Sequence, residues 1–182
     1  MLNSWRDFEH CKVPVVRARV EDIVRRVSGP RVLEVGCNEG WVSKSIIEER
    51  GFDVTALDNR REAREQTLAN FGIQAVDGDV NHLPFNSGSF DCVVAGEVME
   101  HLDNPGSGLS EIFRVSKGHV ILTVPIGKYW NGEATHLWQL NGAMIEHDPG
   151  SRLDFFKHSF VLEFRRIRTF DLSEVKDGHE DR

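Results

Sequence analysis

Apolar residues recur at helical spacing between Val13 and Val27, where Val16, Val20, Ile23, Val24 and Val27 form one stripe. Ser28-Gly29-Pro30 ends that helix. The period then changes. Arg31 to Val35 is short and nearly all apolar, as a strand buried on both faces must be. Trp41 to Arg50 returns to helical spacing, with Val42, Ile46 and Ile47 on one face, and Gly51 breaks it. Phe52 to Leu57 predicts a second strand. Asn59 to Phe71 predicts a polar helix closed by Gly72, and Ile73 to Val76 a third strand. Asp77 to Gly88 reads as loop. Phe90 to Ala95 predicts a fourth strand, and Asn104-Pro105-Gly106 opens a helix through Ile112 and Val115. The run "GHVILTVP" predicts a fifth strand ending at Pro125. Strands and helices alternating at this spacing predict an α/β fold with a parallel, doubly wound sheet.

Beyond Pro125 the pattern weakens. Gly127 to Asn131 reads as loop and Leu140 to His147 as a short helix. Phe155 to Phe164 and Ile167 to Phe170 are candidates for a closing strand pair, and residues 173–182 for a solvated tail.

A chain of 182 residues suits one domain with a proper core. Hydrophobic content of 40% and charged content of 28% are ordinary for a globular protein. A net charge of −7 argues against a broad, sequence-independent grip on nucleic acid. Cys11, Cys37 and Cys92 are odd in number and lack C-x-x-C spacing, so neither a zinc site nor a disulfide framework is legible. They point to a reducing, cytoplasmic setting. The start, "MLNSWRDFEHCK", lacks the apolar centre of a signal peptide, and no run reaches the length of a membrane span.

The candidate chemistry begins at "VLEVGCNEG", Val32 to Gly40, where a buried strand ends in an acid and a glycine turn. Such a turn leaves backbone room for a nucleotide. A dinucleotide fingerprint, G-x-G-x-x-G, would require glycine at 36, 38 and 41. Position 36 is Gly36, but 38 and 41 are Asn38 and Trp41. What fits is acid-x-G-x-x-x-G, from Glu34, Gly36 and Gly40. This resembles the first motif of the class I S-adenosylmethionine-dependent methyltransferases, acid-x-G-x-G-x-G. Asn38 departs from the middle glycine, yet Asn is among the few residues that tolerate a left-handed backbone.

The resemblance covers roughly Arg31 to Pro125. It implies a Rossmann-like, doubly wound, mainly parallel seven-stranded sheet with an antiparallel C-terminal strand pair and helices on both faces. It also implies S-adenosyl-L-methionine as the methyl donor. Gly36, Cys37, Asn38 and Gly40 would lie against its methionine part, and Glu34 would orient the loop or the aminoacyl group. Asp58, with Asn59, would accept from the ribose hydroxyls. Asp79 would read the adenine amino group, while Val80 packs on the ring. Leu83-Pro84-Phe85 resembles the family's linker between strands three and four. The chain then divides into an N-terminal lid and helix (1–29), a cofactor-binding core (30–126), an acceptor-side segment with the final strands (127–172) and a tail.

Glu97-Val98-Met99-Glu100-His101 follows the fourth strand, which the resemblance places beside the methyl-bearing sulfur. A hydroxyl acceptor needs a base, and His101 and His136 suit that role near neutral pH. Glu97 and Glu100 would serve only if burial raises their pKa. Glu97, Glu100 and His101 are spaced i, i+3, i+4, so a helical turn would put them on one face. With His136 they would suit a divalent ion, a possibility ranked below a metal-free site. Trp130 and Trp138 flank His136, and Trp41 adjoins the glycine turn, so they are candidates to stack on an acceptor. The expected function is methyl transfer to an O or N atom of a small molecule. The alternatives are a metal-assisted RNA 2′-O-methyltransferase and a non-catalytic S-adenosylmethionine-binding protein.

Overall fold

The computed structural model describes residues 4–125 and, as backbone, residues 151–156 and 159–165. His136, Trp130, Trp138, the 127–131 loop, the 140–147 helix, the 167–170 strand and the 173–182 tail of the sequence reading lie outside the described residues.

The first helix, α1 (Pro14–Arg26), opens with Pro14 in its first turn, where a missing N–H costs nothing. Strand β1 (Arg31–Val35) leads into α2 (Trp41–Arg50) and β2 (Asp53–Asp58) leads into α3 (Arg61–Phe71). Gly51 and Gly72 end the two helices in the left-handed region, each giving its N–H back to the last turn. Strand β3 (Val76–Asp77) is only two residues long. The expected strand at Ile73 to Val76 is therefore shorter and starts later. Strand β4 (Cys92–Gly96), helix α4 (Pro105–Val115) and strand β5 (His119–Pro125) complete the repeating part. Asn104 caps α4, its side-chain oxygen accepting from the N–H of Ser107 at 3.1 Å.

The five strands are parallel in the order β3-β2-β1-β4-β5. Backbone pairing extends this sheet antiparallel from β5, through β7 (Ser159–Arg165) to β6 (Ser151–Phe156). That pair therefore sits within 151–165, earlier than the expected 155–164 and 167–170.

Alternation along the strands sorts the core into two layers. Leu33 and Val35 face the side covered by α4, with Val93, Ala95, Leu122 and Ile112. Val32, Cys92, Val94 and Ile121 face α1 and α2. Trp5 joins that second layer and is fully buried. It lies in one of two 3-10 turns, Trp5–Asp7 and Glu9–Lys12, that precede α1. Its indole N–H donates to Glu49 of α2 at 2.9 Å. Phe8 packs on Trp41 and Phe71, with ring centroids 6.1 Å from each.

Burial of Trp5 yields a test. Trp5→Ala opens a cavity in the layer under α1 and α2, so it is expected to destabilise the fold by about 3–5 kcal/mol in urea unfolding. A loss below about 1 kcal/mol would show that the N-terminal segment is not part of the core.

Candidate functional site

Chain order in the sheet reverses between β1 and β4. At such a point the carboxyl ends of the strands leave a crevice. Here the crevice measures about 860 Å³, within the roughly 300–1,000 Å³ usual for small-molecule sites.

One wall is the turn after β1. The N–H groups of Gly36 and Cys37 both donate to the carbonyl of Leu57, at 2.8 and 3.0 Å. Gly36 has φ 72°, and a Cβ there would stand 2.4 Å from Cγ2 of Val98. Asn38 has φ 47°, so the left-handed conformation expected of it is present. Its carbonyl accepts from the Thr67 hydroxyl of α3 at 2.7 Å. Gly40, at φ 87°, precedes α2 outside the cleft lining, and a Cβ on it would meet Cγ2 of Thr67 at 2.7 Å.

The next wall is the end of β2. Asp58 is buried, and its two oxygens accept from the N–H groups of Asn38 and Arg60, each at 2.9 Å. One lone pair on each oxygen remains for a ligand. Asn59 and Arg60 line the cleft beside it, and the Arg60 guanidinium donates to the Asn38 side chain at 2.9 Å. Past β3, Gly78 and Val80 line the cleft. Asp79 between them is exposed and outside the lining. Its carboxylate caps its own turn, accepting from the Asn81 N–H at 2.9 Å.

The far wall is the end of β4, with Gly96, Glu97, Val98 and His101 in the lining. Glu97 has φ 57°, and its carboxylate pairs with Arg19 of α1 at 2.9 Å. The Arg19 guanidinium lies 5.9 Å from the centre of the Trp41 ring. Only Met99–His101 is helical, and as a 3-10 turn. The expectation that Glu97, Glu100 and His101 share one helical face therefore fails, because Glu97 sits in a left-handed conformation ahead of the turn. Among the described residues, no three of His, Cys, Asp and Glu are arranged to hold a metal ion.

Besides Asp58, two carboxyl groups here are buried. Glu34 lies under the turn after β1, and the hydroxyl of Ser43 on α2 donates to it. Burial pushes Glu34 up to about 8; the bond from Ser43 opposes that shift and the charge of Asp58 adds to it. Glu100 is likewise pushed up to about 8, first by burial and then by the charge of Glu97.

Of the residues singled out in the sequence, Gly36, Cys37, Asn38, Asp58, Val80, Glu97 and His101 line one cleft, and Gly40 and Asp79 do not. Arg19 and Arg60 were missed. Arg60 follows Asp58-Asn59 directly and was open to discovery as a charge at a strand end. Arg19 reads as an ordinary charge on a helix flank, and nothing in its spacing marks it.

Residues 33–124 match the protein family described as a methyltransferase domain. The chain is 33% identical over 97 residues to a sterol 24-C-methyltransferase of Schizosaccharomyces pombe, covering 49% of this chain and 25% of that protein. It is 32% identical over 121 residues to a demethylmenaquinone methyltransferase of Renibacterium salmoninarum, covering 66% and 48%. A solved S-adenosylmethionine-dependent methyltransferase of Archaeoglobus fulgidus shares the fold, with a TM-score of 0.71 and 15% identity over 84% of this chain and 93% of that one. The chain spans a quarter to about half of the length of the curated relatives it matches.

Glu34 gives a pH prediction. Its pKa rises from an ordinary 4.5 to about 8 on folding, so the fold favours the protonated carboxyl. That stabilisation is complete below pH 4.5 and is lost as pH climbs through 8. Glu34→Gln should flatten the fall of stability between about pH 5 and 8, by up to roughly 1.4 kcal/mol per pH unit. Melting curves across that range check this. Parallel slopes for wild type and variant would refute it.

Proposed function

The chain belongs to the class I S-adenosylmethionine-dependent methyltransferases, and we propose that it moves a methyl group from S-adenosylmethionine to an oxygen or nitrogen atom of a small molecule. The observation that carries the reading is Asp58. It is a buried carboxylate at the cleft wall, half-satisfied by backbone N–H groups and with two lone pairs left over. Neighbouring ribose hydroxyls supply two donors that suit such a group, as charge-assisted bonds.

The other walls fit the same ligand. Gly36, Cys37 and Asn38 line the cleft, with Gly36 bare because Val98 occupies the place of its side chain, which supports backbone approach by the aminoacyl part along this turn. Glu34, beneath that turn, offers a carboxyl to a positively charged ligand. Val80 offers an apolar surface to a flat ring. Asp79 is exposed and outside the cleft lining, so we assign the larger part of adenine recognition to Val80 and the surrounding backbone.

When bound, S-adenosylmethionine supplies a methyl group on sulfonium sulfur, a good leaving group. The remaining work of the chain is positioning, exclusion of water and handling of the acceptor's proton. His101 lines the cleft and is our first candidate for that proton among the described residues. His136 is the second candidate. The names of the relatives, for a sterol and a demethylmenaquinone, support a small-molecule acceptor. We read the sheet as the seven-stranded form, with β7 and β6 closing it. Three buried cysteines, odd in number and without a C-x-x-C spacing, support a reducing, cytoplasmic setting.

S-adenosylhomocysteine should raise the melting temperature, and NAD should leave it unchanged. Asp58→Ala should weaken S-adenosylhomocysteine binding at least about tenfold, or 1.4 kcal/mol, in calorimetry on a variant whose circular dichroism matches wild type. Stabilisation by NAD alone would overturn the cofactor assignment. Unchanged affinity of the Asp58 variant would remove that residue from the site.

A further inference from the structure

Among the described residues, Glu100 carries the one carboxyl whose two oxygens are both buried and both without a hydrogen-bond partner. The residue is 1% exposed. Among the described residues its neighbours are served by others: α4 is capped by Asn104, and Glu97 is answered by Arg19. A buried polar group without a partner is costly, and it persists where an absent partner completes it.

Its place says where that partner comes from. Glu100 lies in the 3-10 turn Met99–His101, and Val98, His101 and Leu102 around it line the cleft. A second orphan lies at the same strand ends. The Thr123 hydroxyl is buried without a partner, 3.5 Å from where a Cβ on the cleft-lining Gly96 would stand. The carbonyl of Thr123 takes the N–H of Glu97 at 2.8 Å. Neither group is in the cleft lining itself; both lie just behind it, Glu100 in the turn between the lining residues Val98 and His101 and Thr123 beside the lining residue Gly96, at the end away from Asp58, where the acceptor would enter.

We propose that Glu100 recognises the methyl acceptor, and that the acceptor presents a primary or secondary amine. This rests on the methyltransferase reading and deepens it. One ligand group with at least two donors can answer both carboxylate oxygens at once. A protonated primary or secondary amine carries three or two, whereas an alcohol carries one. Charge selects the same class. The charged groups around Glu100 are Glu97 and Arg19, with His101 as its neighbour in the turn. Arg19 is committed to Glu97, so a cation is what balances an ionised Glu100. For an amine acceptor Glu100, in place of His101, also frees the nucleophile. One N–H bond breaks and an O–H bond forms on Glu100, leaving a lone pair on nitrogen. Burial already pushes Glu100 up to about 8, so its carboxyl holds that proton near neutral pH.

The test uses the full chain saturated with S-adenosylhomocysteine and five probes: propylamine, benzylamine, 1-propanol, benzyl alcohol and propyltrimethylammonium. The last has the charge but no N–H donor. Both amines should raise the melting temperature of the complex, and the alcohols and the quaternary ion should not. E100Q should weaken amine binding at least tenfold in calorimetry while its affinity for S-adenosylhomocysteine stays at the wild-type value. If E100Q does not fold, E100D serves, with a smaller loss expected because the charge is kept but drawn back by one methylene. Alcohols binding as well as amines, no shift with either amine, or undiminished amine binding in the variant would each overturn the assignment. A wild-type protein that S-adenosylhomocysteine fails to stabilise would instead overturn the methyltransferase reading itself.

Discussion

The cleft depends on the way the turn after β1 is tied to the end of β2. Three consecutive N–H groups, of Gly36, Cys37 and Asn38, are taken up by the carbonyl of Leu57 and the carboxylate of Asp58. A tight turn in mid-protein exposes backbone donors that would otherwise go unmatched. Here the neighbouring strand supplies every acceptor. The turn therefore holds its shape without a ligand, and so does Asp58, whose oxygens are fixed by the bonds they accept. A site arranged in advance loses little freedom on binding.

Most of this was legible from the chain because the repeating part is locally consistent. Strand β1 and helix α2 have the limits their apolar periods imply, and Gly51 and Gly72 close helices where the sequence places them. The departures have physical causes. Asp79 is the expected residue type at the expected strand end, but Asn81 offers its carboxylate a nearer donor. The spacing Glu97, Glu100, His101 implied an α-helical face, but the chain crosses Glu97 in a left-handed conformation and then makes a single 3-10 turn. Arg19 reaches the cleft only because α1 packs across β4, and no one-dimensional pattern encodes such a contact. Glu100 was set aside unless burial raised its pKa, and burial is a property of the assembled fold.

Acidic groups converge on the carboxyl ends of β1, β2 and β4: Glu34, Asp58, Glu97 and Glu100. Arg19 offsets Glu97, and Arg60 lies beside Asp58 with its Nε 3.5 Å from a carboxylate oxygen. Glu34 and Glu100 relieve the remaining crowding by holding their protons to unusually high pH. A cleft of this kind suits positively charged ligands, since an arriving cation allows a buried carboxyl to ionise. The fold alone would not specify this. It follows from which side chains end these strands.

Thr67 of α3 has a wider consequence. Its hydroxyl holds the carbonyl of Asn38, and its methyl fills the space that a side chain at position 40 would need. Gly40 is thus kept bare by α3, the helix that follows the turn's other anchor at the end of β2, and not by its backbone angle alone. One threonine therefore does two jobs with its two branches. Its hydroxyl holds the turn in place, and its methyl, together with the left-handed backbone, keeps a side chain out of position 40. Serine at 67 would separate the two, keeping the first and giving up the second.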